Sequence, residues 1–416
     1  MVFGPISPNP RRRPSGCLKL AGADIPWVDR HKYVGIWFTS VQRDILTLRV
    51  HYEKKEGAAS YVFWRSILGC DLFVGRGRLP PTVGLQLYYA VIDCHLTHGA
   101  DMILDVDNTS SNLLDDLNRM VLRRILGLGR RSGIPQLYSE LGVYPLRVRR
   151  LELALRYLRY LIALPESHLA RKALTESNRL RCSGSASWLG DISFVMRSLP
   201  FSSPLPVLPS LAHLSVAWCD ETIKSLREAT KDWVSSEIQA RVSLPLLHGR
   251  REPLEDKPPR PIRMCRRHYL HRVTIPEHRH ALTRLLCGSF RFRGIHKPAT
   301  LVDPLSRLCR KCGLADEVPG HVFMQCLHPD TIAAREELRH GLLERCNYTL
   351  PTSNSDAQAF SLLQDLIFHW DRVIPTARFV LVVAKSWKFF GNVMPTRVCE
   401  DDPGAEDGEE EEDAGL

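Results

Sequence analysis

Apolar residues recur at three- and four-residue steps from Arg147 to Leu164, placing Val148, Leu151, Leu155, Leu158 and Ile162 on one face. That period predicts an amphipathic helix with a core stripe. Arg149, Arg150, Arg156 and Arg159 lie off the stripe, so the helix is expected to offer a cationic side to solvent or phosphates. Upstream, Tyr33 to Phe38 is an apolar run with β-formers and predicts a strand. From Asp44 the pattern turns helical, and Pro80 with Pro81 breaks it before a further apolar stretch, Val83 to Leu96. The segment Asn112 to Leu126 carries its own start and stop signals. Asn112 is the candidate N-cap, Asp115 and Asp116 fall in the first turn, Arg123 and Arg124 in the last, and Gly127 ends it. Another helix is expected over Trp218 to Ile238, and a closing helix pair over Asp356 to Phe390. Between 182 and 210 the chain is rich in Ser, Pro and Gly, with Pro200, Pro204, Pro206 and Pro209 closely spaced, which predicts a linker or long connection.

Composition narrows the class. With 416 residues and 44% hydrophobic content the chain can bury a real core in two or three domains. The excess of 56 Lys and Arg over 46 Asp and Glu understates its basic character, because Glu400 to Asp413 is almost wholly acidic and is expected to be disordered. A cationic body favours a polyanionic partner, with a membrane surface or a ribosomal contact fitting the bare charge balance as well. Nine of the 12 cysteines (Cys17, Cys70, Cys94, Cys182, Cys219, Cys265, Cys287, Cys346 and Cys399) are scattered rather than arranged as a disulfide framework. Their scatter points to a reducing compartment. No run of about 18 apolar residues appears, so a soluble intracellular protein without a membrane partner is expected. Arg11, Arg12 and Arg13 suit either a nuclear import patch or a solvated turn beside Pro14.

From Arg250 to Lys297 the sequence concentrates Arg, Lys and His, including Arg263, Arg266, Arg267, Arg272, Arg284, Arg291 and Arg293, with Tyr269, Phe290 and Phe292 interleaved. Two interpretations stand side by side: phosphate contact with base stacking, or the core aromatics of a small helical domain.

The strongest chemical signal is Cys309, Cys312, His321 and Cys326, a C-x2-C-x8-H-x4-C pattern. Two thiolates two residues apart can close on one metal through a tight turn at Gly313, and a His and Cys four residues apart can face it from one helical turn. Three thiolates and an imidazole saturate a tetrahedral zinc, so the site is expected to be structural rather than hydrolytic. His328 is a rival fourth ligand, placed just beyond Cys326. Few strands are expected, near Tyr33 and around these ligands. A two-metal nucleotidyl-transfer centre needs carboxylates converging from separate strands. Asp115 and Asp116 resemble such a pair, but their helical context makes them helix residues. Pro329 and Asp330 lack the acidic-x-Lys element of a nuclease, and no phosphate loop or nucleophile elbow is present.

Several blocks resemble, in order, the region downstream of the polymerase palm in LINE-type non-LTR retrotransposon reverse transcriptases. MVFG at Met1 to Gly4 resembles the segment after the catalytic Asp-Asp hairpin, and HKYVGIWF at His31 to Phe38 its following strand. Asn118 to Leu158 resembles the thumb, and ALTRLLCGSF at Ala281 to Phe290 with the Cys/Cys/His/Cys cluster resembles the zinc-binding domain. The resemblance implies a mainly α fold. Together with the residue patterns above, it gives an irregular basic lead at 1–30, a thumb-like helical domain at 31–165, a linker or long connection at 166–215 and a basic helical segment at 216–300, the resemblance itself being good over roughly 1–165 and 280–330. A zinc module at 301–350, closing helices at 351–398 and an acidic tail at 399–416 follow. It implies a thumb gripping primer–template duplex and a zinc domain holding RNA or DNA. The expected nucleic-acid contacts are Arg149, Arg156, Arg159, Arg266, Arg267, Arg284, Arg291 and Arg293, with no small-molecule substrate. The family's catalytic aspartates have no counterpart here, so polymerase activity would need a missing N-terminal portion. The alternatives are a domesticated zinc-dependent nucleic-acid-binding or interaction protein, and an inert remnant of the element.

Overall fold

The computed structural model describes residues 19–24, 30–39, 44–70, 78–254, 257–261, 264–296, 304–352 and 355–389. The Met1–Gly4 block, the Arg11–Arg13 cluster, Arg263 and the acidic tail lie outside them. The fold is mainly helical, as the periodicity requires. Strands among the described residues are confined to three antiparallel two-stranded hairpins, at 19–24, 30–39 and 251–261. The second hairpin pairs Tyr33 with Ile36 across a turn in which Val34 and Gly35 both take positive φ, so the expected single strand is a strand, a turn and a second strand. No helix among the described residues is long and apolar enough to cross a membrane.

The helix read as starting at Asn112 begins at Asn108 and runs to Leu126. Its cap is Asp107, whose carboxylate accepts hydrogen bonds from the Ser110 amide at 2.8 Å and the Ser110 hydroxyl at 2.6 Å. Asp115 and Asp116 are therefore mid-helix residues, not first-turn ones. Gly127 ends the helix in the left-handed region, where its missing Cβ removes the steric cost.

Helix Leu146–Ala163 forms where the stripe placed it, but two of its arginines do not face outward. Arg150 is buried. It donates to both Asp105 oxygens at 3.0 and 3.2 Å, to the Leu96 carbonyl at 2.7 Å and to the Tyr52 hydroxyl at 2.8 Å. Arg149 pairs bidentately with Asp93 and donates to the Tyr88 hydroxyl at 2.9 Å. The expected cationic face is thus halved: segment 93–105 brings acids against this helix and turns two cations into interior struts. Such a cation is tolerated inside only because its donors are satisfied.

The stretch expected as a linker is also structured. Helices Leu169–Cys182 and Trp188–Ser198 occupy it, the second capped by the Ser187 hydroxyl accepting from the Gly190 amide at 3.1 Å. Leu174, Leu189, Ile192 and Val195 pack with Leu151, Leu155 and Leu158 and with Leu226 of helix Val216–Gln239 into one apolar cluster. A second, larger cluster runs from Leu48 and Tyr52 through Leu137 and Leu282 to Phe323 and Trp387. The early helices and the closing helices Pro329–Cys346, Asp356–Phe368 and Val373–Ser386 therefore share one continuous core.

One close approach ties that core together. Helix Pro135–Leu141 ends at Gly142, with φ of 69°, and a Cβ there would lie 2.4 Å from the Cys265 carbonyl carbon. The Arg267 amide donates to the Glu140 carbonyl at 3.1 Å beside it. Gly142→Ala is expected to destabilise the protein by at least about 2 kcal/mol, from the left-handed conformation and the backbone clash together. A urea midpoint indistinguishable from the parent's would refute it.

Candidate metal centre

The Cys309 end of the site is a tight knuckle. The Cys309 amide donates to the Ala315 carbonyl and the Gly313 amide to the Cys309 carbonyl, both at 2.8 Å, while Leu308 and Asp316 form an isolated antiparallel bridge. Gly313 supplies the positive φ, 69°, that closes the turn. The Cys312 amide points at the Cys309 sulfur, 3.4 Å away.

The His321 end is built differently from expectation. In an α-helix of about 3.6 residues per turn, residues five apart face different directions. Here His321–Gln325 is a single π turn, closed by the Cys326 amide donating to the His321 carbonyl at 2.7 Å. The wider turn brings His321 and Cys326 onto the same side. Helix Asp356–Phe368 holds this turn closely: a Cβ on Gly320 would lie 3.1 Å from the Phe360 nitrogen.

These two pieces converge. The Sγ atoms of Cys309 and Cys326 are 3.8 Å apart, Cys312 Sγ is 3.2 Å from His321 Nε2, and one ligand atom from each residue lies within 4.8 Å of all the others. Tetrahedral metal–sulfur bonds of about 2.3 Å separate two sulfurs by about 3.8 Å, the spacing seen for Cys309 and Cys326. A disulfide, at about 2.05 Å, does not fit it. Among the described residues this is the only group of three or more His, Cys, Asp or Glu side chains able to hold a metal ion. Cys309, His321 and Cys326 are buried and Cys312 is half-buried.

Electrostatics make the same point. Burial pushes the Cys326 thiol up to about 12 and raises that of Cys309. Burial also pushes Cys312 up, but the Leu314 amide and the neighbouring thiols outweigh it and leave Cys312 lowered. Burial lowers His321, which favours the neutral imidazole that metals bind. Three sulfurs this close, two of them buried, become thiolates together only when a cation compensates them.

Glu317, which sequence reasoning passed over, locks the knuckle to the preceding segment. Its fully buried carboxylate accepts from the Arg310 amide at 3.0 Å, Arg310 Nε at 2.8 Å and the Arg293 amide at 3.1 Å. No periodicity marks it, since it sits in a short polar loop. His328 is not part of the ligand group; its Nδ1 lies 3.6 Å from Asp330 instead.

The expected nucleic-acid contacts divide. Arg266, Arg291 and Arg293 are exposed, and Arg156 and Arg159 are exposed but paired with Glu152 and Asp220. Arg284 is half-buried, its guanidinium 6.0 Å from the Phe290 ring centre. Arg149 is held by Asp93, and Arg267 is buried beside Glu140 at 3.8 Å, so neither is presented to a phosphate. Tyr269, Phe290 and Phe292 are buried too, which decides for core aromatics over exposed base-stacking platforms. Asp115 and Asp116 point apart: Asp115 is buried against Arg147 at 2.7 Å, while Asp116 is 72% exposed. Burial raises the Asp115 carboxyl despite the two arginines that oppose this.

Compared with family models, curated proteins and solved structures, the chain matches none.

Proposed function

We propose that this chain is the nucleic-acid-binding C-terminal part of a LINE-type non-LTR reverse transcriptase, with a structural zinc module and without polymerase carboxylates of its own. The observation that carries the proposal is the closed Cys309, Cys312, His321 and Cys326 set, joined through Arg310 and Glu317 to the backbone of the segment with exposed Arg291 and Arg293. Zinc suits three soft thiolates and one imidazole in a tetrahedron better than oxygen-seeking calcium or magnesium. Four protein ligands leave no place for an activated water, so the metal would brace the fold. Its brace would hold the arginine-bearing segment through Glu317 and Arg310, with RNA or DNA as the partner. The order of the resembling sequence blocks supports the family assignment, and the divergence of Asp115 and Asp116 supports the absence of catalysis at that pair.

The test is a binding series. Arg291→Glu with Arg293→Glu should weaken binding to a labelled 20-nucleotide RNA or DNA by at least about tenfold and flatten the salt dependence by about two phosphate contacts. The unaltered chain should give no primer extension on an RNA template. Unchanged affinity and salt slope in the double variant, or measurable nucleotide incorporation, would count against the proposal.

A further inference from the structure

Helices Pro329–Cys346 and Val373–Ser386 run antiparallel: the Ser386 hydroxyl donates to Asp330 at 2.7 Å at one end, and Gly341 lies against Pro375 towards the other. Between them, and bounded on a third side by the start of helix Pro276–Leu286, is an open cleft of about 300 Å³. Its floor is apolar, with Leu338 and Phe379 buried. At its rim Ile275, Ile374 and Val382 are exposed. Gly341 keeps the cleft open. Neither a positive φ nor a close approach requires a glycine there, since a Cβ would meet only the Pro375 Cβ at 3.7 Å, an ordinary contact. A glycine inside a helix weakens that helix, so what this one contributes is room.

The charges around the cleft are unequal. Glu337 is paired with Arg378 at 3.5 Å, while Arg345, which also lines the cleft, has no ion-pair partner among the described residues. His278 lines the same space, half-buried. Burial lowers it, and the cations Arg378 and Lys385 lower it further against Glu277, which is itself paired with Arg78 at 3.0 Å. The imidazole is therefore neutral at physiological pH, and Arg345 supplies a surplus positive charge at the end of the cleft where Ile374 stands. We propose that the cleft binds a small amphiphilic monoanion, an aliphatic carboxylate, with its hydrocarbon chain along Leu338 and Phe379 and its carboxylate at Arg345. From Ala334 to Arg345 the wall of the cleft is about 16 Å long, and about 300 Å³ over that length makes a slot for one extended chain, whereas a docking helix is about 10–12 Å across. Each methylene buried on the floor raises affinity about fourfold. A charge-assisted hydrogen bond to the guanidinium orients the head. The site does not depend on a nucleic-acid partner.

Isothermal titration of the full chain with octanoate, and with octanamide as its uncharged isostere, tests the site. Octanoate should saturate a single site per chain and bind about threefold to fivefold more tightly than octanamide at low salt, the range of an exposed ion pair. Arg345→Gln should abolish that preference by weakening octanoate alone. Gly341→Leu, which fills the cleft without altering its charge, should weaken both ligands at least about tenfold, the loss of two buried methylenes. Gly341→Ala, which adds one methyl at ordinary contact distance, should bind nearly as the parent does. Arg345 is exposed, so its replacement leaves the core untouched and its result stands even where Gly341→Leu disturbs the packing. No saturable octanoate binding, equal affinity for octanoate and octanamide in the parent, or a preference that survives Arg345→Gln would overturn the proposal.

Discussion

Replacing Cys309 with alanine is expected to empty the metal centre and lower stability by at least about 3 kcal/mol, since metal-binding energy in small thiolate sites is folding energy. The native chain should carry one zinc by plasma mass spectrometry and the variant close to none. The loss should not stay local. Cys309 and Cys326 belong to the same buried cluster as Val322, Phe323 and Trp387, so releasing the π turn exposes part of the shared core. Trp387, whose indole nitrogen lies 3.3 Å from the Thr331 hydroxyl, provides a fluorescence report of that exposure. A strong chelator should reproduce the effect on the parent chain. His328→Ala should leave the zinc content intact, because His328 faces Asp330 rather than the ligand group. Full metal content and an unchanged melting curve in Cys309→Ala would remove the metal from the account of this fold.

Glu140→Gln should be nearly as damaging. The Glu140 carboxylate is fully buried, with Arg250 Nη1 at 2.8 Å and Arg267 Nε at 3.8 Å, and it joins helix Pro135–Leu141 to two arginines more than a hundred residues away in sequence. Neutralising one member of a buried charge group typically costs about 3–5 kcal/mol, because the partners stay inside without their counterion. Urea unfolding measures it. Arg250→Met added to Glu140→Gln should recover part of the loss, giving a coupling energy of about 1 kcal/mol or more in the double-mutant cycle. Strictly additive losses would mean that the two groups act separately.

The contrast between these sites shows what the sequence made legible. The four residues able to hold a metal declare themselves because their chemistry is local: two short spacings inside eighteen residues. Helix Leu146–Ala163 was equally plain from its stripe, and so were its neighbours' ends at Gly127 and Pro81. The fate of Arg149, Arg150 and Arg267 was not, since each is decided by an acid far along the chain, at Asp93, Asp105 or Glu140. Arg150 did leave a trace: it stands on the four-residue row of Leu146, Ala154 and Leu158, all buried. A cation on a core row signals a distant counterion. Helix Trp188–Ser198 was hidden by the serines and prolines around it, although Leu189, Ile192, Val195 and Met196 keep helical spacing behind the Ser187 cap. Glu317 left no trace, because nothing about a loop carboxylate reveals that the Arg293 amide and three donors of Arg310 will close over it.

The π turn from His321 to Gln325 makes the metal site a matter of counting. Each residue of an ordinary helix rotates the next by about 100°, so one residue removed between His321 and Cys326 would let the segment relax into α geometry and swing the imidazole and the thiol to new bearings. A deletion within Val322–Gln325 can therefore disarm the centre while sparing every ligand. Across related sequences, the interval between that histidine and that cysteine should be held more strictly than the identities of the residues that fill it.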